Sequence, residues 1–263
     1  MASLSTPAFR GMKGFNNSDR RYSSASGIAP GSAAGTFSGL LAISPQVLLP
    51  TGNNPEFLFG SADNSSGWGF ARLVDPIVGG NNVSYVQYGL LLGFGVKSLA
   101  GLVGDNLNRA ALLGFSYNNG AVQAYVNGGV FQDVVVAPIT PGAGLPLRLG
   151  GTNSIDDFDG THDTIMGAAY DSGEITPAEM AAIFAAWRAT GSIPAALAIV
   201  GHAMELVYDF AGTQPALPAP ALVNQGTAGV SGNLTFGSVL VDNRLTPQVV
   251  ANELVSQTEV PAL

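Results

Sequence analysis

Cysteine is absent from this chain of 263 residues, so disulfides and thiolate metal centres are excluded and the redox compartment stays open. Charge is nearly as scarce: 11% of residues are charged, lysine occurs only as Lys13 and Lys97, and the formal net charge is −8. A surface that binds nucleic acid needs clustered Lys and Arg to displace counterions from phosphates. The Arg20-Arg21 pair does not supply that, which argues against nucleic acid as a partner. No stretch holds the eighteen or so uninterrupted apolar residues of a membrane-crossing helix, and Met1 to Pro7 lacks the basic-then-apolar pattern of an export signal. Neither membrane insertion nor a cleaved leader is expected. Histidine occurs twice, as His162 and His202. They are far apart in sequence, which disfavours a zinc site.

What is present points to strands. The 35 glycines and 16 prolines are spread along the chain, as in a fold of many short strands joined by tight turns. A chain of this size can bury one substantial core. With 46% hydrophobic residues and so little charge, a surface packed against copies of itself or a partner is expected.

The stretch from Leu113 to Tyr170 carries the strongest local signals. Asn118-Asn119-Gly120 and Asn127-Gly128-Gly129 separate three alternating runs, and Asn-Gly accepts the positive φ of tight hairpin turns, so an antiparallel meander is predicted. Further strands are read over 36–43, 56–60, 67–73 and 83–92, with Trp68, Phe70 and Arg72 on one face by the period-2 rule. Thr176-Pro177-Ala178-Glu179 is a capping-box sequence that starts one short helix. Met180, Ile183, Phe184 and Trp187 form its apolar stripe, and Gly191 with Pro194 ends it. Residues 1–35 lack either period and are expected to be an extended arm ordered by neighbouring subunits. Residues 36–245 form the domain, and 246–263 a second strap.

Gly67-Trp68-Gly69-Phe70, Phe115-Ser116-Tyr117, Ala124-Tyr125-Val126-Asn127-Gly128, Leu147-Leu149-Gly150 and Phe158-Asp159-Gly160 with Asp163 resemble the concanavalin A-like jelly roll in its laminin-G and pentraxin-related form. The resemblance covers about residues 36 to 190. It implies a mainly β, antiparallel two-sheet jelly-roll sandwich. The segments Met204–Phe210, Leu222–Thr227 and Asn233–Phe236 resemble that family's opening strands, placed last, as in a circular permutation. They could complete their own sandwich or a neighbour's.

Such folds host lectins, glycosidases, adhesion modules and virion proteins. Asp156, Asp157, Asp159 and Asp163 are the candidate calcium ligands, since carboxylates with turn carbonyls suit this hard cation and several relatives in the resembled family bind it; no other cofactor is implied. His162, beside them, could sense pH. Trp68, Tyr85, Tyr88 and Asn64, with Asn81 and Asn82, are the candidate glycan-binding groups. Glycoside hydrolysis needs two carboxylates about 5 to 10 Å apart across the bond. Hydrolases of the resembled family place acidic residues alternately along one strand, and with glutamate only at 56, 174, 179, 205, 253 and 259 no Glu-x-Asp-x-x-Glu run exists, so turnover is not expected. The expected role is a structural virion component at the virion surface, such as a bacteriophage capsid decoration, head-fibre or tail protein. It would assemble as a homo-oligomer or with other virion proteins and could contact a cell-surface glycan. The alternative is an extracellular, lectin-like adhesion module.

Overall fold

Asn119 and Gly120 (φ 46° and 101°) and Asn127 and Gly128 (φ 50° and 81°) all adopt left-handed backbone, so both Asn-Gly steps turn tightly as their residue types demand. The computed structural model describes residues 9–13, 15, 21–24, 35–46, 56–62, 67–73, 85–92, 95–103, 108–135, 145–150, 159–210, 221–237 and 246–254. In chain order the strands are β1 Arg10–Lys13, β2 Arg21–Ser23, β3 Thr36–Ser44, β4 Glu56–Ala62, β5 Gly67–Leu73, β6 Tyr85–Leu92, β7 Gly95–Val103, β8 Arg109–Asn118, β9 Ala121–Val126, β10 Gly129–Val135, β11 Arg148–Leu149, β12 Asp159–Gly160 and β13 Thr164–Asp171. Two helices follow, α1 Pro177–Thr190 and α2 Ile193–Val200. The strands β14 Leu206–Asp209, β15 Ala221–Leu222, β16 Leu234–Gly237, β17 Thr246–Val249 and β18 Ala251–Leu254 close the chain.

They form two sheets of a jelly-roll sandwich. The first has the order β10-β9-β8-β3-β13-β1-β17, with β14 also on β13 and β18 on β8; the second has the order β15-β16-β2-β11-β4-β5-β6-β7, with β12 on β4. Pairing is antiparallel apart from the short β12·β4 and β18·β8 contacts. Strand β3 is buried along nearly its whole length, because both faces of the first sheet are covered and a strand covered on both sides reads as a continuous apolar run. Phe37, Leu41 and Ile43 of β3, with Leu113, Phe115 and Tyr117 of β8, share one core with Trp68 and Phe70 of the second sheet. Leu40, Ala42, Leu112 and Met166 face outward onto Met180, Ile183 and Trp187 of α1 and Ile193 and Leu197 of α2.

The capping box is complete: Glu179 N donates to Thr176 Oγ1 at 3.3 Å, and Thr176 N donates to Glu179 Oε2 at 2.9 Å. Gly191 closes α1 in left-handed backbone (φ 71°). The expectation of one helix needs correction. Ser192 caps a second helix, and Pro194 lies in its first turn, where a missing N–H costs nothing, instead of terminating the first.

The expected arms also need correction. β1 pairs with β13 and β17, and β2 bridges β11 and β16, so these parts of 1–35 are strands of both sheets of the same chain. Thr246–Val249 and Ala251–Leu254 likewise pair with β1 and β8. The late strands complete this chain's own sandwich: β14 lies on β13, while β15 and β16 reach β2. Asn224 locks this join, accepting from Val207 N at 2.7 Å and Gly226 N at 3.0 Å and donating to Glu205 O at 3.1 Å.

Candidate functional site

Two charged residues stand in otherwise apolar strands. Glu56 opens β4 and is paired in register with Arg72 near the end of β5; both are 1% exposed. By strand alternation Arg72 shares the inward face of Trp68 and Phe70, and there it meets the first sheet. Its Nη1 lies 2.6 Å from Asp163 Oδ1 and 3.8 Å from Glu56 Oε2. Asp163, fully buried just before β13, also accepts from Gln46 N at 3.2 Å, just after β3. One guanidinium therefore ties the two sheets together at one end of the sandwich.

The segment 161–163 wraps over this pair. Thr161 Oγ1 donates to Glu56 Oε2 at 2.9 Å, His162 N donates to the same oxygen at 3.1 Å, and Asp163 N donates to Thr161 Oγ1 at 3.1 Å. Glu56 Oε1 accepts a short hydrogen bond from His162 Nδ1. Because Glu56 is surrounded by donors, Nδ1 carries the proton, and Nε2 is an acceptor on the neutral ring or a second donor on the charged one. The imidazole is 40% exposed, so the cluster has a buried base and a solvent-facing tip. The bond to Glu56, helped by that carboxylate's charge and by Asp163, raises the His162 pKa above the ordinary histidine value, while burial and Arg72 oppose the shift.

The candidate residues chosen from sequence are only partly gathered here. Asp163 joins the cluster, but as the partner of Arg72; a calcium ion on its carboxylate would sit against a guanidinium, so Asp163 does not fit the expected calcium role. The backbone of Asp159 pairs with Glu56, and Asp156 and Asp157 lie outside the described residues. Tyr88 stands opposite Arg72 in the register of β6, with Tyr85 three residues earlier. Asn64, Asn81 and Asn82 lie outside the described residues. Trp68 is a correction: it is wholly buried, its ring 5.1 Å from Tyr170 at 18° and 5.5 Å from Phe59 and Phe115, with no open face for a sugar. It also lies four residues, about 13 Å, along β5 from Arg72. Glu56, Arg72, Thr161 and Gln46 were not among the candidates. The available signal was a lone charge of each sign inside apolar strands, which is buried only when paired.

No protein-family model matches the sequence, and no curated protein does. Solved structures are similar to it. A Bacteroides ovatus protein provisionally described as carbohydrate-binding matches with 13% identity over 93% of this chain and 61% of its own, at TM-score 0.56. This chain thus spans about 61% of that protein's length. A heptameric pentraxin from Limulus polyphemus matches with 11% identity over 69% of this chain and 84% of its own, at TM-score 0.46. Domain 4 of an extracellular arabinanase from Geobacillus stearothermophilus, solved with arabinotriose, matches with 19% identity over 60% and 68%, at TM-score 0.37. What this chain shares with the Bacteroides protein is the fold, a two-sheet jelly-roll sandwich.

Proposed function

We propose that this chain is a glycan-binding module that acts without turnover, through the end of the sandwich built on Glu56, Arg72, Asp163 and His162. The observation that carries the reading is the His162 imidazole, half presented to solvent and anchored on a buried carboxylate. Glycan hydroxyls are recognised by a few polar groups held rigidly in place, and His162 is held by its ring, its own amide and the flanking Thr161 and Asp163. By register, β4 starts beside the end of β5, and β6 starts beside the ends of β5 and β7, so these strand termini share the edge on which Glu56 and Arg72 lie, and binding groups concentrate at such ends of a rigid scaffold. The fold shared with the Bacteroides protein supports the same substrate class. Glu56 and Asp163 both converge on Arg72 instead of flanking an opening, which favours binding over acid-base hydrolysis.

A glycan array followed by calorimetry on the full chain tests this. At least one glycan should bind, and His162→Ala should weaken it about tenfold, the effect of one lost hydrogen bond to a polar ligand, while its folded far-UV spectrum is retained. An array without hits, or unchanged affinity in the variant, overturns it. Self-association is a second reading, favoured by Val135, 86% exposed on β10 at the margin of the first sheet. Light scattering tests it, and a strictly monomeric chain excludes it. The expected virion role rested on the absence of an export signal and of cysteine, on low charge and on arms at both ends; with residues 10–13, 21–23 and 246–254 paired in the chain's own sheets the arms no longer speak for it, and the glycan-binding alternative fits better.

A further inference from the structure

The two Asn-Gly turns share a backbone but not their surroundings. Asn-Gly is the dipeptide in which the following backbone nitrogen most readily attacks the asparagine side-chain carbonyl, because glycine places no Cβ in its path. At the second turn that carbonyl is clamped: Asn127 Oδ1 accepts from Leu112 N at 3.0 Å, and Asn127 N donates to Leu112 O at 2.8 Å. The Phe184 ring of α1 covers the turn so closely that a Cβ on Gly128 would lie 2.8 Å from Phe184 Cβ. Rotating this carboxamide into an attack geometry requires breaking the Leu112 bond and shifting the helix side chain.

At the first turn the backbone is held, and the side-chain carbonyl packs against Gly35, where a Cβ would lie 2.1 Å from Asn119 Oδ1, but among the described residues no main-chain N–H donates to that oxygen as Leu112 N does to Asn127. Asn119 N donates to Gly35 O at 2.7 Å. Its side chain is exposed, and Nδ2 donates to the neighbouring Asn118 side chain at 3.2 Å, a contact that moves with the turn.

We infer that Asn119 is a site of spontaneous deamidation and that Asn127, though the same dipeptide, is protected. Gly120 N bonds to Asn119 Cγ, the bond from Cγ to Nδ2 breaks, and the amide leaves as ammonia with the proton lost from Gly120 N. Water then opens the cyclic imide to aspartate or isoaspartate at 119, so the sum is one water consumed and one ammonia released. The isoaspartyl product lengthens the main chain by one carbon inside the turn that sets the Asn118 and Ala121 register of β8 and β9. It also adds a carboxylate beside Asn118, whose Nδ2 donates to Glu174 Oε2 at 3.2 Å. The result is a turn that loosens with age at one chosen hairpin.

The full folded chain is incubated at mildly alkaline pH, and each Asn-Gly peptide is scored by mass spectrometry and by isoaspartyl methyltransferase labelling. Short peptides of each turn sequence correct for intrinsic reactivity. Asn119 should convert about tenfold faster than Asn127 relative to those peptides, the factor that opening one hydrogen bond of ordinary net strength imposes. Phe184→Ala should raise the Asn127 rate, and Asn119→Gln should abolish the main modification without altering the rate at Asn127. Equal corrected rates, faster conversion at Asn127, or an Asn119 as inert as Asn127 while both peptides react would overturn the inference.

Discussion

The two ends of the sandwich are held by different physics. Toward the end of β8, the core is aromatic: Phe37 lies 4.7 Å from Tyr117 and meets Phe115 edge-on at 5.6 Å, while Trp68 stacks on Tyr170. Burial there pushes the Tyr170 hydroxyl pKa well above the usual tyrosine range, so it stays protonated. At the start of β4 and β13, the sheets are joined instead by Glu56, Arg72 and Asp163. Apolar surface stabilises wherever it is buried, whereas a buried ion pair must first overcome desolvation and often gains nothing over an apolar replacement. The aromatic end is therefore explained by stability alone. The charged end is not, and it is where a binding role is to be sought.

Variants should separate these ends, and the largest effects come first. Trp68→Ala should lose roughly 3–5 kcal/mol in urea unfolding, as for other large buried aromatics, with glycan affinity of the folded fraction unchanged. Arg72→Ala should cost a similar amount, about 3–5 kcal/mol, because two buried carboxylates lose their counter-charge. Replacing Glu56, Arg72 and Asp163 together by apolar residues should recover most of that stability yet lose binding. If the triple variant stays as unstable as the single one, the charged end is structural.

A smaller effect follows from His162. Its folded pKa lies above the ordinary value of about 6.5, so protonation is favoured by folding. The stability it contributes is fully present below about pH 6.5 and is lost as pH rises through the raised folded value. The melting midpoint should fall over that window in the natural chain and not in His162→Gln; identical profiles would sever the link to Glu56. Smallest is Thr176→Ala, which removes the helix cap far from the charged end and should cost about 1 kcal/mol with no change in binding.

Local chemistry was legible in the sequence. Both Asn-Gly turns and the Thr176 capping box are specified by residues within four positions of one another, and the structure has each. The helix α2 was missed because Pro194 was read as a stop, though Ser192 two residues earlier makes it a first-turn proline. β1 and β2 span four and three residues, too short to show a period, and become strands only through partners more than a hundred positions away. The site was legible in kind but not in partnership. Arg72 already shared a face with Trp68 and Phe70, which places both Arg72 and Trp68 inside, but its contact with Asp163 spans 91 positions. The same periodicity, followed through, would have removed Trp68 from the sugar-binding set.

The chain's two histidines offer the most direct measurement. His202 sits 3.4 Å from Glu179 at the start of α1, on the helix layer, while His162 caps the charged end of the sandwich. In a histidine-selective NMR titration with a glycan selected on the array, the His162 ring resonances should shift with saturation and those of His202 should stay in place. Saturation that leaves His162 unmoved, or that moves His202 alone, would contradict binding at the Glu56, Arg72 and Asp163 end.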